Sequence, residues 1–109
     1  HSPLMQESSE AMGLALRDVR FGPGMMPVVA NVTAQVAEEG WADLLEAQLR
    51  SPVRWAESVG AMLAMGVTTF VECGSGTILS GLLKRIDREA RSLAVEDADS
   101  LRAAVEALA

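Results

Sequence analysis

The chain has 109 residues, half of them apolar, and a formal net charge of −6 at pH 7. This length allows one small domain with a buried core, and the negative charge argues against non-specific binding to nucleic acid. With Cys73 and His1 as the sole cysteine and histidine, the sequence excludes an internal disulfide and a Cys/His zinc site, and no apolar run reaches the roughly 18–20 residues of a membrane span.

The first half of the chain predicts a helix, a strand and a second helix. Ser2 suits the N-cap and Pro3 the first helical position. We therefore predict a helix over residues 3–19, with an apolar face formed by Met5, Met12, Leu16 and Val19. Residues 26–32 are apolar and β-branched, which is typical of a buried strand. A helix over residues 41–49 follows.

The second half predicts three helices and two strands. Ser51-Pro52 repeats the Ser-Pro helix start, and that helix is predicted to run to Met65, with Gly66 as its stop signal. The elements predicted after it are a strand over 67–73, a helix over 77–88, a weaker strand over 92–95 and a last helix through Leu108, capped by Asp99.

This alternation of helices and strands predicts an α/β fold with a mainly parallel sheet flanked by helices. Three strands are few for a sheet that is buried on both faces. We therefore expect neighbouring strands outside this chain. The chain also begins without methionine, so we expect it to be a segment of a longer protein.

Four segments resemble the malonyl-CoA:acyl-carrier-protein transacylase family, in the family's order and spacing. His1-Ser2-Pro3-Leu4-Met5 is similar to the catalytic-histidine motif, and residues 27–33 resemble the strand that follows it. Residues 48–55 resemble the segment whose glutamine backbone carbonyl holds the histidine. The glycine turn and the closing helix of the family resemble residues 71–76 and 79–86.

The resemblance implies that residues 1–109 are the C-terminal part of a hydrolase-like α/β acyltransferase core. In this family a serine in a nucleophile elbow and an arginine that pairs with the malonyl carboxylate complete the site, and neither has a matching position here. We expect both to lie upstream, together with a ferredoxin-like subdomain, and predict that this chain alone is inactive. The family commonly has a proline and a lysine where this chain has Ser75 and Thr77, which loosens the subgroup assignment.

His1 and Gln48 are the candidate catalytic residues. The resemblance implies that His1 is the general base and that the Gln48 backbone carbonyl accepts its other ring N–H, in place of a triad carboxylate. A histidine that precedes a helix N-terminus also feels the positive end of the helix dipole, which favours the neutral ring that can accept a serine proton. The alternatives are a terminal histidine without function and an ordinary helix-end glutamine.

Asn31 and a basic cluster are the candidate binding residues. Asn31 ends a predicted strand, where α/β sheets place ligand sites, and a turn or capping role is the alternative. Lys84, Arg85 and Arg88 form the cluster together with Arg91. Such a cluster is either a solvated helix face or a docking site for an acidic carrier protein or for coenzyme A phosphates.

The glycine turn at residues 74–76 fits a strand-to-helix turn better than a catalytic or nucleotide motif. Cys73 stands where a nucleophile elbow has its first glycine, which argues against Ser75 as the nucleophile. Leu79 occupies the third glycine position of a dinucleotide fingerprint, and no lysine follows as in a P-loop. Cys73 itself is most simply a small buried apolar residue.

The resemblance implies transfer of a malonyl group from malonyl-CoA to the phosphopantetheine thiol of acyl carrier protein, through an acyl-serine, in the cytoplasm. It implies no metal, no redox cofactor, and no nucleic-acid or membrane partner. Three alternatives stay open. They are an acyltransferase module of a polyketide or fatty-acid synthase, a non-catalytic carrier-protein or coenzyme A binding module, and a nucleotide-binding α/β domain, which the defective glycine pattern disfavours.

Overall fold

The computed structural model describes residues 1–109 as five α-helices and four strands. A 3-10 turn over Pro3–Met5 leads into α1 (Gln6–Leu16), and the next elements are β1 (Val28–Ala30), β2 (Gln35–Ala37), α2 (Trp41–Gln48) and α3 (Trp55–Ala64). The chain ends with β3 (Thr69–Cys73), α4 (Ile78–Ile86), β4 (Arg91–Val95) and α5 (Ala98–Leu108). It divides into two compact units, residues 1–61 and 62–109. None of the helices combines the length and apolar character needed to cross a membrane.

The strands form two separate pairs. In the second unit, β3 and β4 run parallel, with Thr69 opposite Arg91 and Cys73 opposite Val95. This pair and its crossover helix α4 confirm the α/β fold and its parallel sheet. In the first unit, β1 and β2 form a short antiparallel pair that we did not predict. Three residues that include Gln35 are too short and too polar to give a strand pattern.

The N-terminus folds as its capping chemistry predicts, but α1 buries a different face. The Ser2 hydroxyl accepts a hydrogen bond from the Leu4 N–H, and Pro3 takes the first position of the turn. The predicted apolar face is wrong, because Met5 and Met12 are substantially exposed. The buried residues of α1 are instead Ser9 and Gly13. Four residues apart, they lie on one face of the helix.

The start of α3 was also predicted too early. The helix begins at Trp55 rather than at Ser51-Pro52. The Ser51 hydroxyl donates to the Ala47 carbonyl at 2.7 Å, so it caps the end of α2 instead of the start of α3.

The end of α3 is the glycine stop that the sequence predicts. Gly66 has a φ of 90°, which favours glycine. Its N–H donates to the Leu63 carbonyl at 3.0 Å, and the Val67 N–H donates to the Met62 carbonyl at 3.1 Å. These two bonds form a Schellman motif that satisfies carbonyls of the last turn.

In the second unit, α4 and α5 pack on the parallel strand pair. Leu83 of α4 and Ala104 of α5 are buried there. Asp97, not Asp99, caps α5: its carboxylate accepts from the Ser100 N–H at 2.8 Å, and the Ser100 hydroxyl accepts from the Asp97 N–H at 3.0 Å. The prediction named the wrong aspartate because the helix begins at Ala98, two residues before the start that an Asp99 cap implies. Part of the apolar surface of the strands is exposed to solvent, at Val28, Val36 and Val71.

Candidate functional site

The structure brings the His1 ring onto the end of α2. Its Nδ1 lies 2.6 Å from the backbone carbonyl oxygen of Gln48. A carbonyl oxygen only accepts hydrogen bonds, so Nδ1 carries the proton in this contact. The neutral ring therefore keeps its lone pair on Nε2. Nε2 is the atom that can take a proton from a nucleophile.

This contact belongs to a helix end whose last carbonyls accept hydrogen bonds from side chains and backbone outside α2. The last carbonyls of a helix lack intrahelical partners and need donors from outside. Here Gln48 accepts from His1, and the Leu49 carbonyl accepts from the Ser2 N–H at 3.3 Å. The Glu46 and Ala47 carbonyls, in the same turn, accept from the hydroxyls of Ser9 and Ser51. The histidine is thus held by a helix terminus rather than by a carboxylate.

Asn31 holds a turn rather than contacting His1 or Gln48. Its side-chain oxygen accepts from the Arg54 N–H at 3.2 Å, just before α3 begins. The Arg54 guanidinium donates to the Thr33 carbonyl at 3.1 Å and pairs with Glu57. The capping alternative for Asn31 is therefore present in the structure. Its Nδ2 is buried and has no hydrogen-bond partner in this chain.

Lys84, Arg85 and Arg88 are exposed on the second unit. Lys84 and Arg85 lie in the last turn of α4, where positive side chains complement the helix dipole. None of the three forms a salt bridge. Arg91, in contrast, donates to the Ala107 carbonyl at 2.8 Å and connects β4 to α5. The three exposed residues form a patch of unpaired positive charge, and Arg91 is structural.

Two carboxylates that the sequence reasoning missed occupy the glycine turn. Glu72 accepts from the N–H groups of Leu79 and Ser80, at 3.0 and 2.8 Å, and from the Ser80 hydroxyl at 2.6 Å. Glu96 accepts from the Gly76 N–H at 2.9 Å. The sequence signal for Glu72 was an acidic residue near the end of a predicted strand, just before the glycine turn. In the structure, Gly74 and Gly76 of that turn have φ of 135° and 80°.

These contacts bear directly on the nucleotide-binding alternative. A phosphate would be held by free N–H groups at the N-terminus of α4. The carboxylate of Glu72 already takes that place, and the Ser80 hydroxyl, followed by the Ser80 N–H, lowers the pKa of Glu72. The turn is therefore a self-capped strand-to-helix connection. Cys73 beside it is exposed, which corrects its assignment as a buried residue.

Comparison with known proteins identifies the fold and the relatives of this chain. No protein-family model matches it. It is 40% identical to the malonyl CoA-acyl carrier protein transacylase of Bacillus subtilis, over 99% of this chain and 35% of the relative. The crystal structure of MCAT from Streptococcus pneumoniae is 39% identical with a TM-score of 0.90, over 98% of this chain and 35% of that one.

A third comparison includes a partner protein. A type II PKS acyl-carrier protein in complex with its malonyl-transacylase matches with a TM-score of 0.89 and 35% identity, over 98% of this chain and 35% of that one. The chain thus has the α/β fold of part of an acyltransferase. Its sequence relates it to the malonyl CoA-acyl carrier protein transacylases, and it spans about a third of the length of these relatives.

Proposed function

We propose that the protein containing this chain transfers a malonyl group from malonyl-CoA to the phosphopantetheine thiol of acyl carrier protein, in the cytoplasm. The observation that carries the proposal is the 2.6 Å contact between His1 Nδ1 and the Gln48 carbonyl, which leaves Nε2 free as a base. The printed names of the relatives supply the substrate and partner. In this proposal the chain contributes the general base.

The rest of the site belongs to other parts of the protein in this proposal. The chain is the C-terminal part of the larger α/β subdomain, and sequence before His1 supplies the serine nucleophile, the carboxylate-binding arginine and a ferredoxin-like subdomain. This division is supported by the length of the match, because the chain spans 35% of the Bacillus subtilis relative. The absence of a Gly-x-Ser-x-Gly elbow from these 109 residues agrees with it.

Proton transfer through His1 drives both half-reactions of the proposed mechanism. Nε2 takes the serine proton while the serine oxygen attacks the thioester carbon; the C–S bond then breaks and the coenzyme A thiolate takes that proton. In the second half, Nε2 takes the proton of the carrier thiol, whose sulfur attacks the acyl-serine. The C–O bond breaks and the serine oxygen regains the proton. The Gln48 carbonyl accepts from Nδ1–H throughout and stabilises the transient imidazolium.

Replacement of His1 tests this role. We expect His1→Ala to lower kcat/KM for malonyl transfer by roughly 10²–10⁴-fold, the contribution typical of a positioned general base. Gln48→Ala is the matched control, because it keeps the backbone carbonyl, and it should leave the rate within a few-fold. Full activity in a folded His1→Ala variant would exclude His1 as the base.

We further propose that the patch formed by Lys84, Arg85 and Arg88 docks the acidic carrier protein. The support is that these charges are exposed and unpaired. Replacing all three by glutamate should raise KM for carrier protein about tenfold or more, with the malonyl-loading rate unchanged. Replacing the exposed Arg17, Arg20 and Arg102 together by glutamate changes the net charge by the same amount and is the control. An unchanged KM would assign the patch to a solvated helix face.

Asn31 is proposed as a substrate contact in addition to its turn role. The support is the buried Nδ2, which has a free donor. Asn31→Asp keeps the oxygen that accepts from Arg54 and removes that donor. In the folded variant we expect a higher KM for malonyl-CoA, and the melting temperature measures the separate cost of burying the new carboxylate oxygen. An unchanged KM would leave Asn31 with the turn role alone.

A further inference from the structure

Ser9 is the most completely buried polar residue in the contact between α1 and α2. Its side chain has no exposed surface. The hydroxyl donates to the Glu46 carbonyl at 2.7 Å and accepts from Arg50 Nη1 at 3.1 Å. Arg50 Nη1 also lies 3.6 Å from the Glu46 carboxylate. A hydroxyl that both donates and accepts in a buried site is fixed in orientation.

The Ser9 hydroxyl lies close in the fold to the contact between His1 and Gln48. His1 precedes α1 and Gln48 ends α2, so the distance between them depends on how the two helices are placed. Ser9 is bonded to the carbonyl two residues before Gln48, within the same helical turn. A Cβ at Gly13 would meet the carboxylate end of the Glu46 side chain, so a larger residue there would make that side chain move. The Ser9 bonds therefore define the register of α1 against α2.

We propose that Ser9 and Arg50 are positioning residues for the His1 base. They hold the last turn of α2 against α1 so that the Gln48 carbonyl meets Nδ1, and they thereby maintain the tautomer with a free Nε2. The effect on catalysis rests on the proposed function. The effect on the histidine rests on the geometry alone.

The test compares Ser9→Ala with Ser8→Ala in the intact protein that contains this chain. Ser8 is the neighbouring residue of α1, is exposed, and makes no side-chain hydrogen bond, so it is a matched control. Ring ¹⁵N chemical shifts of His1, assigned with His1→Ala, report which nitrogen carries the proton. We expect Ser9→Ala to shift the population toward the Nε2–H tautomer and to lower kcat roughly tenfold, with KM for malonyl-CoA unchanged. Ser8→Ala should change neither.

Arg50 gives a second and independent comparison. Arg50→Met should reproduce the tautomer shift of Ser9→Ala, and Arg50→Lys, which keeps a charged donor, should restore most of the native population. If the tautomer in folded Ser9→Ala and Arg50→Met is the same as in the native protein, the proposal is overturned, whatever happens to activity. If the tautomer shifts but the native protein transfers no malonyl group, the positioning role stands and the proposed function fails.

Discussion

At the residue scale, the Glu72 carboxylate holds the start of α4 to the end of β3. Hydrogen bonds from Ser80 and Leu79 lower its pKa below the ordinary value of 4.5. A group whose pKa is lowered by folding stabilises the fold above its unfolded pKa and loses that effect as pH falls through the folded pKa. The stabilisation from Glu72 is therefore complete at neutral pH and disappears in acid.

We expect Glu72→Gln to lower the free energy of unfolding at neutral pH and to make it less dependent on pH below about 4.5. Urea unfolding at neutral and acidic pH measures both effects. Glu89→Gln is the control, because the Glu89 side chain is exposed and accepts no hydrogen bond. If the two variants have the same pH profile, Glu72 does not cap α4.

Gly66 and Gly81 differ in backbone conformation alone, since a Cβ at either position would meet nothing within 4 Å. Gly66 has φ of 90° and Gly81 lies inside α4. We expect Gly66→Ala to destabilise the fold by about 1 kcal/mol and Gly81→Ala to stabilise it by roughly 0.5–1 kcal/mol. Thermal unfolding of the pair checks the opposite signs. Equal shifts would contradict the Schellman end of α3.

At the element scale, α5 depends on its capping box. Asp97→Ala removes the acceptor for the Ser100 N–H and should lower the free energy of unfolding, as the loss of an N-cap does. Asp99→Ala removes only an exposed pair with Arg102 and should stay within about 0.5 kcal/mol. Chemical denaturation measures both variants. A larger loss for Asp99→Ala would restore Asp99 as the cap.

The elements were predictable to the extent that their signals are local. Ser2-Pro3, Gly66 and the apolar β-branched run of β3 act within a few residues, so the order of most helices and strands could be predicted. The buried face of α1 could not be predicted, because Ser9 of that face bonds to the carbonyl of a residue 37 positions away. The exposure of Met5 and Met12 follows from that choice of face. β2 is specified by its pairing with β1 more than by its own residues.

At the scale of the whole molecule, the candidate site joins residues that are 47 positions apart. No spacing rule predicts such a contact, and the family resemblance was the sole signal for it. No short sequence motif predicts the contacts between Ser9 and Arg50, because these contacts depend on how α1 and α2 pack. Tertiary packing, which single-sequence patterns do not encode, thus determines the surroundings of the histidine.

In the proposed function, the protein that contains this chain accepts a malonyl group and passes it to acyl carrier protein. The most direct measurement is the intact mass of the protein containing this chain after brief incubation with malonyl-CoA, with and without carrier protein. We expect a mass increase of one malonyl group that disappears when carrier protein is added. A well-folded protein that gains no acyl mass from malonyl-CoA or other acyl-CoAs would contradict acyl transfer and favour a non-catalytic binding module.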